Sequence, residues 1–149
     1  MDKTVPAYYF AYGSNLNKAQ MRLRCPGSTA IGLFSLEGYQ LVFRRVADVA
    51  PAEGQTAFGA LYTITKSDEL TLDRYEGFRQ SAPDRGKYRK VVLELTVAGL
   101  PASVMFYVMN STSISPPDPH YYSVIHEGYL DWQIDVASLE EARRRSESF

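Results

Sequence analysis

The chain is organised around its first hydrophobic stretch, Tyr8-Tyr9-Phe10-Ala11-Tyr12-Gly13-Ser14-Asn15-Leu16. The aromatic first half predicts a β-strand over Tyr8–Tyr12. Gly13 can adopt a positive φ, and Ser14 or Asn15 can cap a helix, which we predict over Asn17–Cys25. A strand, a tight turn and a helix in this order leave N–H groups at the helix start available to an anion or a developing oxyanion. Taken alone, Gly-Ser-Asn is more typical of an ordinary strand-to-helix turn than of an anion-binding site.

The composition argues against two classes of partner. The 149 residues carry a formal net charge of −1, so no overall field attracts nucleic acid or an anionic membrane. No apolar run is long enough to span a bilayer, and we expect no signal peptide before the first strand. We therefore expect a cytoplasmic protein, and a single domain over residues 1–149. The sequence does not indicate an oligomeric state.

Cysteine and histidine usage predicts neither a disulfide nor a metal site. Cys25 is the only cysteine, so it has no intramolecular partner for a disulfide. His120 and His126 are six positions apart, which is not the same-face spacing of metal ligands on a helix. We expect no metal and no cofactor.

Hydrophobic alternation and turn residues predict a strand-rich first half. After a short tail at Asp2–Pro6 and the first helix, we predict strands over Thr29–Leu33, Tyr39–Phe43 and Ala57–Thr65. Glu37-Gly38 should separate the first two strands, and the proline and glycine within Val46–Thr56 favour a loop there. Gly59 either weakens its strand or admits the close approach of another backbone.

The second half alternates helices with one strand pair. We predict a helix over Ser67–Glu76, with Ser67 as N-cap and Gly77 after its end. Asp118-Pro119 should begin a helix that runs toward Gly128. The other predicted elements are a loop over Phe78–Gly86, strands over Lys87–Val97 and Ala102–Asn110 joined by the turn Ala98-Gly99-Leu100-Pro101, and a helix to about Glu147 opened by the capping box Ser138-Leu139-Glu140-Glu141. These elements give an α+β fold class.

Glu76 is the residue that departs most from local helix rules. It lies in the last turn of its predicted helix, where the dipole favours a cation. If the carboxylate is also desolvated, its pKa should rise, as happens in general acid–base catalysis. Broken local rules concentrate at functional sites. The alternative for Glu76 by itself is a solvated carboxylate at a helix end.

Two segments together resemble the γ-glutamylcyclotransferase-like family. They are the stretch from Tyr8 to Leu16 and the later segment Leu72-Asp73-Arg74-Tyr75-Glu76-Gly77. The resemblance implies a compact mixed β-sheet curling into a small barrel, with a pocket at one mouth. It also implies that Glu76 is the general acid/base, while we expect Asp73 to brace the helix.

The resemblance extends to a set of substrate-binding positions. It implies that the pocket is lined by Tyr12, Gly13, Ser14, Asn15, Leu16, Tyr88, Tyr107 and Tyr121. Tyr88 fits a core position as well as a pocket position, and Tyr107 fits a core tyrosine. In the proline-rich segment that ends in His120-Tyr121-Tyr122, Tyr121 is the better match, Tyr122 should pack in the interior and His120 should lie on the surface.

The implied activity is the cyclisation of a γ-glutamyl group to 5-oxoproline with release of an amine or amino acid, and its only implied partner is a small γ-glutamyl substrate. The reaction needs no metal, cofactor or water. Two alternatives remain open at this point. The chain could act on γ-glutamylamines or on a γ-glutamyl group attached to a protein or carrier, or it could be a non-catalytic module that binds a small acidic ligand. The retained Glu76 argues against the non-catalytic module, because a site that binds an acidic ligand gains nothing from another acid.

Overall fold

The computed structural model describes residues 6–148, and residues 2–5 of the predicted tail lie outside that range. One mixed sheet contains β1 (Tyr8–Ala11), β2 (Thr29–Arg44), β3 (Val46–Thr63), β4 (Tyr88–Val97) and β5 (Leu100–Met109). Its strand order is β2-β3-β1-β5-β4, with β1 antiparallel to β3 and parallel to β5. The expected α+β class is confirmed. The expected barrel is not closed, since β2 and β4 are the outer strands of a curled sheet within residues 6–148.

The longest hairpin corrects two predictions. Residues 46–56, predicted as a loop, belong to β3. Residues 46–51 and Thr56 pair with β2, and residues 52–55 lie at a shift in the pairing register. Glu37-Gly38 does not separate two strands either; the pairing register shifts there, and Gly38 takes a φ of 83°. A β-bulge therefore absorbs residues that would break a regular strand. The hairpin reverses at Arg45, whose φ is 67°.

The hairpin tip is tied to the segment that precedes the third helix. The Arg45 N–H donates to the Ser115 carbonyl at 2.9 Å, and the Ser115 N–H donates to the Phe43 carbonyl at 3.0 Å. The Arg44 side chain pairs with the buried Asp48 carboxylate at 2.7 Å, and that carboxylate also accepts the Met109 N–H at 2.9 Å. These contacts hold residues 46–48 against β5.

In the described part of the chain, four α-helices surround the sheet: α1 (Lys18–Arg24), α2 (Lys66–Tyr75), α3 (Pro119–Asp131) and α4 (Ala137–Ser146). The Asp118 cap and Pro119 at the first position of α3 are confirmed. Three caps differ from prediction. Asn17 rather than Ser14 or Asn15 caps α1, Thr65 rather than Ser67 caps α2 through a capping box with Asp68, and α4 begins after Val136 with no side-chain cap.

Several glycines are explained by close packing. A Cβ on Gly59 would lie 2.3 Å from the Ala11 carbonyl oxygen, so of the two roles predicted for Gly59 the structure supports the close approach. The helix predicted to run toward Gly128 continues to Asp131. Gly128 lies inside it, where a Cβ would be 2.7 Å from the Asn17 nitrogen. The first turn of the chain and α3 therefore pack backbone to backbone.

The core lies between the sheet and its helices. Its largest fully buried side chains include Phe10, Phe43, Phe106, Leu72 and Leu139. The last predicted turn is shorter than expected, since Ala98 and Gly99 alone join β4 to β5 with φ values of 52° and 82°. Of the helices that the structure describes, none has the length and apolar character needed to traverse a membrane.

Candidate active site

A single cleft brings together residues from both halves of the chain. Its empty space, including the open mouth, is about 680 Å³. The walls come from the end of β1 and the turn after it, the start of β3, the end of α2, the start of β4, and from β5 and α3. The lining residues are Tyr9, Tyr12, Gly13, Ser14, Asn15, Val46, Ala47, Tyr75, Glu76, Lys87, Tyr88, Tyr107 and Tyr121.

All sequence-predicted site residues except Leu16 line this cleft. The Leu16 side chain is fully buried, with an exposed fraction of 0%, and its N–H donates to the Gly13 carbonyl at 3.0 Å. Leu16 therefore anchors the turn in the core and presents no donor to the cleft, which corrects the prediction that it lines the pocket.

The turn at Gly13 supplies backbone donors. Residues Ser14–Leu16 form a short 3₁₀ turn that the Leu16 and Asn17 N–H groups close. Within residues 6–148, the N–H groups of Gly13, Ser14 and Asn15 have no acceptor at hydrogen-bond distance. Free N–H groups in this arrangement suit a negatively charged ligand atom.

Glu76 stands at the end of α2, in a Schellman-type termination. The Gly77 N–H donates to the Arg74 carbonyl at 3.2 Å, the Phe78 N–H donates to the Asp73 carbonyl at 2.8 Å, and Gly77 takes a φ of 69°. Gly77 was expected after the helix end, and this is confirmed. The geometry turns the chain sharply away and leaves the Glu76 side chain in the cleft.

The environment of Glu76 favours its protonated form. Burial raises the pKa of this carboxyl from 4.5 to about 7, against a smaller lowering by the positive charges of Arg24 and Lys87. The predicted direction is therefore confirmed, with desolvation as the main cause. Among the described residues, no hydrogen bond or ion pair engages the carboxyl group. A carboxyl poised near neutral pH and free of partners can both accept and donate a proton.

Arg24 joins the turn to the end of α2. Its guanidinium donates to Asn15 Oδ1 at 2.6 Å and to Ser14 Oγ at 3.3 Å, and its Cζ atom lies 3.3 Å from the centroid of the Tyr75 ring. Asn15 in turn donates from Nδ2 to the Tyr9 hydroxyl at 3.0 Å. One side chain therefore fixes the positions of the donors and of the segment that carries Glu76.

The backbone of Ala47 orients two tyrosines. The Tyr88 hydroxyl donates to the Ala47 carbonyl at 2.7 Å, and the Tyr121 hydroxyl accepts the Ala47 N–H at 3.0 Å. A Cβ on Gly13 would lie 3.1 Å from the Ala47 Cβ, so the turn and the hairpin tip pack closely across the cleft. Tyr88, which fitted a core or a pocket position, is buried and lines the cleft.

Asp73 has a different partner from the one expected. It was predicted to brace its own helix, but its Oδ1 accepts the Tyr107 hydroxyl at 2.6 Å. Lys90 contacts the same carboxylate at 2.9 and 3.1 Å and Glu69 at 2.5 Å. The Tyr107 ring also packs edge-on against Tyr9, with centroids 6.1 Å apart. Asp73 lies behind the cleft wall and holds Tyr107.

The two residues next to Tyr121 behave as predicted. The Tyr122 ring packs on Phe43 with centroids 6.0 Å apart and lies outside the cleft lining. His120 is exposed and also lies outside it. Across residues 6–148, no three His, Cys, Asp or Glu side chains come together as a potential metal site.

Sequence reasoning missed several lining residues. Tyr9 belongs to the first stretch but was not assigned to the site, and Tyr75 and Lys87 directly adjoin residues that were. This adjacency was the available signal for them. No sequence signal marked Val46 and Ala47 as site residues, because their segment was predicted as a loop and Ala47 contributes backbone atoms.

Comparisons with known proteins agree with the fold described above. The profile of the family described as Gamma-glutamyl cyclotransferase, AIG2-like matches residues 9–132. The chain is 29% identical over 153 aligned residues to the gamma-glutamylcyclotransferases of Homo sapiens and Bos taurus, which covers 89% of this chain and 78% of each relative. A solved structure named gamma-glutamyl cyclotransferase superposes with a TM-score of 0.74 at 22% identity, over 97% of this chain and 88% of that one. At that identity the structural likeness shows the fold.

Proposed function

Because the chain belongs to the gamma-glutamyl cyclotransferase, AIG2-like family, we propose that it cyclises a γ-glutamyl group to 5-oxoproline and releases an amine or amino acid. In this reaction the neutral α-amine attacks the γ-carbonyl carbon of its own glutamyl group. A nitrogen–carbon bond closes the five-membered lactam, and the bond from that carbon to the leaving nitrogen breaks. The partner is a small γ-glutamyl molecule, and the proposed compartment remains the cytoplasm.

The observation that carries the proposal is the unpaired Glu76 carboxyl in the same cleft as the Gly13 turn. In the ionised form Glu76 accepts the proton that the attacking amine loses. In the protonated form it gives that proton to the leaving nitrogen. A pKa of about 7 makes both forms accessible near neutral pH, so a single side chain can complete the proton transfer.

The N–H groups of Gly13, Ser14 and Asn15 can donate hydrogen bonds to the negatively charged oxygens of the reaction. They suit the glutamyl α-carboxylate or the oxygen of the γ-carbonyl as it becomes an oxyanion. The Tyr121 hydroxyl accepts from Ala47 and keeps its own proton available as a further donor. These groups are fixed before substrate arrives, so they need little reorganisation during the reaction.

Positioning is the other contribution that the cleft makes. Since nucleophile and electrophile belong to one substrate, the protein has to hold the glutamyl chain curled. Well-oriented intramolecular attack can lower a barrier by roughly 7–11 kcal/mol. The surrounding tyrosines, braced by Ala47 and Asp73, provide rigid walls for this purpose.

The proposal is tested with a panel of substrates. The panel contains γ-glutamyl dipeptides, γ-glutamylamines and a protein-attached γ-glutamyl group, and the measurement is 5-oxoproline formation by mass spectrometry. We expect 5-oxoproline from at least one class, and the preferred class identifies the leaving group. Binding of γ-glutamyl ligands without 5-oxoproline from any class would instead indicate a non-catalytic module.

A further inference from the structure

Three phenols of the cleft donate their only proton to other groups of the protein. The Tyr12 hydroxyl donates to the Tyr107 carbonyl at 2.6 Å, the Tyr88 hydroxyl to the Ala47 carbonyl at 2.7 Å, and the Tyr107 hydroxyl to Asp73 Oδ1 at 2.6 Å. Burial raises the pKa of each of these phenols, so all three stay neutral. A tyrosine hydroxyl has one proton. Toward a ligand in the cleft, these three oxygens can therefore only accept hydrogen bonds.

Two other phenols have the opposite polarity. Tyr121 accepts the Ala47 N–H and Tyr9 accepts the Asn15 side-chain amide, each at 3.0 Å. Their own protons have no acceptor among the described residues. Together with the N–H groups of the Gly13 turn they are the hydrogen-bond donors of the cleft. The oxygens of Tyr12, Tyr88 and Tyr107, with the Glu76 carboxyl, are its acceptor groups.

The polarity of Tyr107 is set by a buried charge network. The Asp73 carboxylate pairs with the Lys90 ammonium at 2.9 Å, and Lys90 also pairs with Glu69. The side chains of Lys90, Glu69 and Asp73 are 14%, 8% and 17% exposed. An ionised carboxylate has no proton to donate, so Tyr107 has to be the donor in their hydrogen bond.

We propose that these acceptor groups are an ammonium subsite for the α-amine of the substrate, in which Tyr107 contacts the ammonium directly and Asp73 is a positioning residue. This inference rests on the proposed function, since it places the amine of a γ-glutamyl group. The α-amine of a substrate is largely an ammonium near pH 7. Several neutral hydrogen-bond acceptors beside one carboxyl suit an ammonium group, which has three donors and one positive charge. An amine held among these groups lies beside Glu76, which can take its proton.

The subsite predicts a preference between two small acids that differ only in the amine, L-glutamate and glutarate. Neither has a leaving nitrogen, so neither reacts, and binding can be measured by calorimetry without turnover. Repulsion between their second carboxylate and Glu76 is common to both and cancels in the ratio of the two dissociation constants. We expect the wild-type protein at pH 6.5 to bind L-glutamate at least tenfold more tightly than glutarate.

Two variants test the roles of Tyr107 and Asp73. Tyr107→Phe removes the acceptor oxygen and should lower the preference about tenfold, the effect of one hydrogen bond to a charged group. Asp73→Asn can turn its amide NH₂ toward Tyr107 and its oxygen toward Lys90. The Tyr107 hydroxyl then accepts a hydrogen bond from residue 73 and directs its own proton into the cleft. This variant should lower the preference similarly, although Tyr107 keeps its oxygen. Glutarate affinity should stay constant in both variants, and Tyr122→Phe is the matched control with an unchanged ratio.

The outcomes separate this inference from the proposed function. A wild-type ratio near one, or a ratio that both variants retain, overturns the ammonium subsite even if the protein forms 5-oxoproline. A merely structural role for Asp73 would weaken both ligands equally and also contradicts it. If Asp73→Asn does not fold, Tyr107→Phe decides alone. If the wild type prefers L-glutamate over glutarate and both variants lose that preference, but no substrate yields 5-oxoproline, the subsite is supported and the proposed function is refuted.

Discussion

Glu76 lines the same cleft as Gly13, although α2 and the turn after β1 are far apart in the chain. Arg24 connects the two segments, because it binds Asn15 and Ser14 on one side and covers the Tyr75 ring on the other. An acid and a set of backbone donors therefore face one small volume. The proposed mechanism requires this proximity.

The pH profile should report on Glu76. Its pKa of about 7 predicts that kcat/KM falls as the pH drops through that value and the base becomes protonated. Arg24 lowers this pKa, so Arg24→Gln should move the acidic limb to higher pH. Substrate ionisation is the same for both proteins, so the displacement between their profiles reports on the enzyme. Arg22→Gln, on the exposed side of the same helix, is the control and should leave the limb in place; a limb unmoved in Arg24→Gln would contradict the assignment.

Glu76 should cost the protein stability above neutral pH. A carboxyl whose pKa is higher in the folded than in the unfolded state contributes stability that is complete below about pH 4.5 and is lost as the pH rises through about 7. Glu76→Gln, which never ionises, should therefore match the wild type near pH 4. At pH 8.5 it should be more stable by about 3 kcal/mol, or roughly 9 °C in Tm. Thermal unfolding of both proteins at the two pH values measures this effect. If the difference in Tm between Glu76→Gln and the wild type is the same at both pH values, burial does not raise the pKa of Glu76.

Tyr121→Phe should lower activity more than Tyr122→Phe. The Tyr121 hydroxyl faces the cleft and is held by Ala47, whereas Tyr122 packs on Phe43 outside it. We expect at least a tenfold loss of kcat/KM in the first variant, corresponding to about 1.4 kcal/mol of transition-state stabilisation, and less than a threefold loss, about 0.6 kcal/mol on the same scale, in the second. Steady-state kinetics measures both losses. Equal losses of kcat/KM in the two variants would contradict the assignment of Tyr121, rather than Tyr122, to the site.

Gly86 should be essential to the position of Glu76. A Cβ at Gly86 would lie 2.0 Å from the Gly77 carbonyl oxygen, so Gly86→Ala has to displace the residue next to Glu76. We expect a destabilisation of about 2 kcal/mol and a fall in kcat. Gly32→Ala is the control, because no atom lies within 4 Å of the added Cβ. A Gly86→Ala protein with wild-type Tm and kcat would contradict this account.

The strongest local signals in the sequence were sufficient for much of the fold. Asp118-Pro119 begins α3, and Gly77 follows the end of α2, as predicted. Both depend on interactions within one turn of the chain. The alternation around Leu41 and Phe43 was also informative, since both side chains are buried.

Tertiary contacts decided where sequence reasoning failed. Val46–Thr56 contains Pro51 and Gly54, yet it forms a strand because β2 pairs with it and a bulge accommodates the glycine. Ser138 looked like a helix cap, but its hydroxyl is buried without a partner among the described residues, and α4 packs against β2 instead. Neither outcome can be read from a local pattern.

The site was predictable where side chains carry it and unpredictable where the backbone does. Glu76 and the predicted tyrosines follow from residue types in quoted motifs. Ala47 orients Tyr88 and Tyr121 through its N–H and carbonyl, which any residue at that position could supply. Leu16 was misplaced for a related reason, because its N–H closes the turn at Gly13.

The most direct test of the central claim is the turnover of Glu76→Gln with the best γ-glutamyl substrate, measured as 5-oxoproline formed under saturating conditions. Removal of the acid–base group should lower kcat by about 10²–10⁴-fold, while circular dichroism shows an unchanged fold and Glu94→Gln on the exposed side of β4 keeps full activity. Wild-type turnover in Glu76→Gln would contradict the account.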